Sequence, residues 1–111
     1  MRVQEALPFY GRLSAALQAQ LLVRFGYELT LRARETYVVG GDDLVDPILM
    51  RRCNELTHRV LDHSDALLAG RLERRPDEVT VRMLLEPGLG RIQEIAVGAF
   101  DAAVKAVPGL T

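Results

Sequence analysis

The chain has 111 residues, 49% of them hydrophobic and 26% charged, with 14 basic residues against 15 acidic ones. A net charge of −1 excludes a global field that gathers nucleic acid or an anionic membrane. That apolar content fits a single folded domain over 1–111 and excludes a disordered chain, and no apolar run is long enough to span a bilayer.

The first predicted helix runs from about 8 to 38. Pro8 suits its first position, where a backbone N–H would lack a partner anyway, and Gly40-Gly41 end it. Tyr10, Leu13, Leu17 and Leu21 form an apolar seam at spacings of three and four. Gly26 costs about 1 kcal/mol against alanine inside a helix, which predicts a kink or break there. The exposed sides of the two long helices are expected to retain Leu22, Val23, Leu61 and Leu68.

The second helix is predicted over about 47–73. Asp46 can cap it and Pro47 suits its first turn. Leu49, Cys53, Leu56, Val60 and Leu67 fall in one stripe at 100° per residue, while Arg51, Glu55, His58, Asp62 and Asp65 lie opposite. A short third helix fits 76–86, with Asp77 and Glu78 at the positive end of its dipole. The fourth covers about 89–107, with Ile92, Ile95, Ala96, Ala99 and Ala103 inside and Glu94, Asp101 and Lys105 outside.

These elements predict an all-α protein, an irregular four-helix bundle built on a long antiparallel helical hairpin. A second reading is α+β. Tyr27, Leu29, Leu31 and Ala33 alternate with polar residues, as do Val79, Val81 and Met83, which is the period of short strands near 27–34 and 78–85. Helices are preferred because Glu, Leu, Arg and Ala are good helix formers and a lone two-stranded sheet is marginal.

Paired about the loop 40–45, the two long helices put Glu28 level with Thr57 and Arg32 level with Cys53. Glu28, Arg32 and Glu35 then continue the leucine seam, where buried charge must be paired. Asn54, Glu55, His58 and Arg59 are available across from them. The functional reading is a ligand pocket lined by Glu28, Arg32, Glu35, Asn54, Glu55, His58 and Arg59. The plainer reading, which is preferred, keeps them solvated or in a polar dimer interface. Glu28 and Arg32 would then form an ordinary one-turn ion pair.

Glu55-Leu56-Thr57-His58 is an E-x-x-H step, which places a carboxylate and an imidazole one turn apart. It resembles half of the ligand pattern of ferritin-like di-iron bundles. The resemblance implies a divalent metal held by Glu28, Glu35, Glu55 and His58, completed by a second copy. No cofactor is otherwise expected. His58 and His63 stand about 140° apart on the helix and do not share an ion; His63 fits the edge of the core.

The aspartates of Gly40–Asp46 lack EF-hand spacing and suit turns and caps. Arg71, Arg74 and Arg75 suit a helix C-terminus. Helices three and four could form a helix-turn-helix presenting Arg91, Gln93 and Glu94 to DNA, but the neutral composition argues against nucleic acid. No P-loop, dinucleotide, nucleophile-elbow or zinc-finger spacing occurs, so an enzyme is the minority reading. Cys53, the lone cysteine, suits a buried thiol in a reducing compartment. No secretory signal opens the sequence, so a cytoplasmic location is expected. The sequence therefore predicts a small interaction or regulatory protein acting as a homo-oligomer, most simply a dimer. A metal- or ligand-binding bundle and a DNA-binding module are the alternatives.

Overall fold

A computed structural model describes residues 3–38, 47–70 and 90–110, with side chains at 5–6, 8–32, 51–70 and 92–110. Among the described residues it holds four helices and no strand: α1 (Val3–Gly11), α2 (Ala15–Val38), α3 (Pro47–Leu68) and α4 (Gly90–Ala106). The all-α architecture therefore holds. The strand alternative at 27–34 is overturned, because that segment lies inside α2. Its alternating residues do not share a fate: Tyr27 is exposed, Leu29 is buried and Leu31 is half-buried. The alternative at 78–85, the expected helix at 76–86 and the loop 40–46 lie outside the described residues.

The single helix expected over 8–38 is two helices. Gly11 ends α1, and the N–H groups of Arg12 and Leu13 bond back three residues, to Phe9 and Tyr10 at 3.2 Å each. Such tight bonds close a helix rather than extend it. Ser14 then caps α2: its Oγ accepts from the Leu17 N–H at 3.2 Å and its carbonyl accepts from the Gln18 N–H at 2.8 Å. Pro8 stands inside α1, not at its start. Buried Gln18 ties the two helices by donating its amide to the Tyr10 carbonyl at 2.9 Å. The Tyr10 carbonyl thus accepts two bonds, one from the Leu13 N–H and one from the Gln18 amide.

Gly26 does not break α2. A Cβ there would stand 3.0 Å from Leu61 Cδ2, so its missing side chain lets α3 lie close. The same contact sets the hairpin. Ser64 Oγ donates to the Ala19 carbonyl at 3.0 Å, and Leu61 and Thr57 meet Gly26 further along, so α2 and α3 run antiparallel. The expected extension of α3 to 73 is also corrected. Gly70 adopts the left-handed conformation at φ 71, and its N–H bonds the Leu67 carbonyl at 3.1 Å, which terminates the helix at Leu68.

α2 is the centre of the molecule. It packs against α3 on one side and α4 on the other, and those two scarcely touch. Small residues let α4 approach: Ala96, Ala99 and Ala103 are fully buried. Phe25 of α2 meets Phe100 of α4 edge to face, with centroids 5.5 Å apart and planes at 84°. The inner stripe of α3 (Cys53, Leu56, Val60, Leu67) is buried as its periodicity predicts. Leu22, expected on an exposed side, is fully buried beside Phe25 in the core.

Candidate functional site

The predicted polar residues divide between two faces. Glu28 is buried on α2 and accepts two bonds on its Oε1, from Arg24 Nε at 3.1 Å and Arg24 Nη2 at 2.9 Å. Its partner is therefore one turn before it, where Arg32 was expected one turn after. Arg32 instead lays its guanidinium along Gly98 of α4, within 3.6 Å of where a Cβ would stand. Asn54, Glu55, His58 and Arg59 are exposed on α3. The side chain of Glu35 lies outside the described residues, as does that of Arg91. Gln93 is half-buried and Glu94 exposed.

The chemistry of this set is limited. Among the described residues, no three His, Cys, Asp or Glu side chains gather as metal ligands. His63 is buried and points into the fold from the inner side of α3, away from the face that carries His58. Cys53 is a buried thiol in the core. No described helix is long and apolar enough to cross a membrane.

A different surface stands out. Ala19, Gln20, Val23, Arg24 and Tyr27 of α2 and Leu68 of α3 line a groove of about 400 Å³. Val23 is 49% exposed, Tyr27 53%, Leu68 66% and Leu61 38%. On α2 the outward residues Ala16, Gln20, Val23, Tyr27 and Thr30 carry no charge. Arg24 borders the groove, yet its guanidinium lies over the Tyr27 ring at 4.8 Å and bonds Glu28. That charge is thus held by its own helix. Contiguous exposed apolar surface of this kind marks a contact site more often than a bare surface. Sequence reasoning named Val23, Leu61 and Leu68 for this face but missed Tyr27, whose position eight residues after Ala19 and four after Val23 was a usable signal.

Comparison of the chain with known protein families, with curated proteins and with solved structures finds no match. The functional reading therefore rests on the surface itself.

Proposed function

We propose that the protein is a helical interaction module that pairs with a second copy of itself and performs no covalent chemistry of its own. The observation that carries this reading is the exposed apolar face of α2 and α3 around Val23, Tyr27, Leu61 and Leu68. A lone chain leaves these side chains in water, although burying one fully is worth about 1.5–3 kcal/mol. Asn54 and His58 share the outer side of α3 with Leu61 and Leu68, so they take the role of polar members of the interface. Glu28 and Arg32 serve the fold of the single chain.

Native mass spectrometry and light scattering over a concentration series test this reading. The expected result is a metal-free dimer, unchanged by chelator, that dissociates when Val23 and Leu68 are both replaced by Glu. A wild-type chain that stays monomeric up to high micromolar concentration overturns it. A dimer carrying stoichiometric metal that is lost with Glu55→Ala would favour the metal bundle instead.

A further inference from the structure

Resting on the self-pairing reading above, we infer that two copies meet along the outer face of α3, with the two α3 helices antiparallel. α3 carries two seams. The inner one, through Cys53, Leu56, Val60 and Leu67, holds the helix to its own chain. The outer one is Arg51, Asn54, His58, Leu61, Asp65 and Leu68. All six are exposed, and they alternate by three and four residues through two heptads and more. This is the spacing of a coiled-coil seam, with two leucines at its acidic end and polar residues at the other four positions. Within it, Arg51, His58 and Asp65 form one row and Asn54, Leu61 and Leu68 the other.

Charge chooses the orientation. Arg51 marks one end of the seam and Asp65 the other, about 21 Å apart at 1.5 Å per residue. Asp62 adds to the acidic end. In a parallel pair, Arg51 would face the partner's Arg51 and Asp65 would face the partner's Asp65, so both ends would repel. In an antiparallel pair, Arg51 approaches the partner's Asp65, and the two-fold axis repeats the contact at the other end. Exposed pairs of this kind add little affinity but penalise the wrong register. The leucines lie at the acidic end, beside the groove that Val23 and Tyr27 line. Antiparallel pairing brings the first turns of the partner's α3 level with that groove. The long stem of Arg51 can also cover the partner's Leu68 while its charged head reaches the partner's Asp65.

Orientation is tested by disulfide trapping in a Cys53→Ser background. Arg51→Cys and Asp65→Cys chains are mixed in equal amounts and equilibrated in a thiol redox buffer. The mixed 51–65 disulfide is expected to exceed either homodisulfide at least fivefold, because that pair also keeps one Arg51–Asp65 contact intact. Homodisulfides in excess, or a statistical mixture, overturn the antiparallel seam. Native mass spectrometry of the wild-type chain separates the two failures. A dimer with the wrong disulfides sinks only the orientation, and a monomer sinks the self-pairing reading as well. Charge reversal gives a second readout. Arg51→Asp should weaken the dimer about tenfold, and Arg51→Asp with Asp65→Arg should restore it. A double variant no tighter than the single one counts against the proposal.

Discussion

Gly26 shows how one residue decides the hairpin. From sequence it is a weak point, because glycine costs about 1 kcal/mol in a helix interior. In the structure it is the seat of Leu61, whose Cδ2 stands 3.0 Å from the position a Cβ would take. The two effects can be separated. Gly26→Ala gains helix propensity and asks Leu61, a partly exposed side chain, to shift by a few tenths of an ångström. Its unfolding free energy should stay within about 0.5 kcal/mol of wild type. Gly26→Leu cannot be absorbed in that way and should cost about 2 kcal/mol. Adding Leu61→Ala to Gly26→Leu should recover part of the loss in a double-mutant cycle by urea denaturation. Full additivity of the two changes would mean that the contact does not matter. The buried charge is similar. The sequence allowed Glu28 as an inward carboxylate needing a partner, but the preferred reading kept it in solvent or an interface; it is buried against Arg24. Arg24 and Arg32 both lie one turn away, and spacing alone does not choose between them. In the structure Arg24 is the partner, and Arg32 lies along Gly98 of α4 instead.

At the scale of elements, the helical class and the apolar faces of α3 and α4 were readable from sequence, because period and burial agree there. The ends of the helices were not. Tyr10, Leu13, Leu17 and Leu21 keep helical spacing straight through a break, and the seam hides it. The real signals were local and weaker: Gly11 followed by Ser14, and Gly70 after Leu68. Ser14 is the more testable of the two. Its Oγ bonds the Leu17 N–H at the exposed start of α2, with no other role in the core. Ser14→Ala should therefore lower stability by about 1 kcal/mol, and Ser14→Asp should keep it. Equal stability of Ser14→Ala and wild type in chemical denaturation would show that Gln18, through its bond to the Tyr10 carbonyl, holds the junction alone. Among the described residues, the predicted polar set divides between two faces for a related reason. A hairpin register says which residues are level, but not which way each helix turns about its own axis. α3 turns Cys53, Val60 and Ser64 inward, and this leaves Asn54, Glu55, His58 and Arg59 in solvent.

Among the described residues, α2 is a middle helix with α3 on one side and α4 on the other. Since α3 and α4 scarcely meet, nearly all their cohesion passes through α2, and most sharply through Phe25 with its edge-to-face contact to Phe100. Phe25→Ala should cost about 3–5 kcal/mol, a large share of the roughly 5–15 kcal/mol a domain of this size holds. Val23→Ala, two residues away but half exposed, should change the isolated chain by less than about 0.5 kcal/mol. That contrast makes a global test of self-pairing available without mapping the interface. A dimer binds only to folded chain, so mass action raises its melting temperature as concentration rises. The wild-type Tm should climb by several degrees between low and high micromolar protein. Val23→Glu should melt close to the dilute wild-type value at every concentration, because it removes pairing and leaves the core intact. Phe25→Ala should melt lower yet keep the upward slope wherever it still folds. A flat wild-type Tm would mean that the apolar face around Val23, Tyr27 and Leu68 is not closed by a second copy.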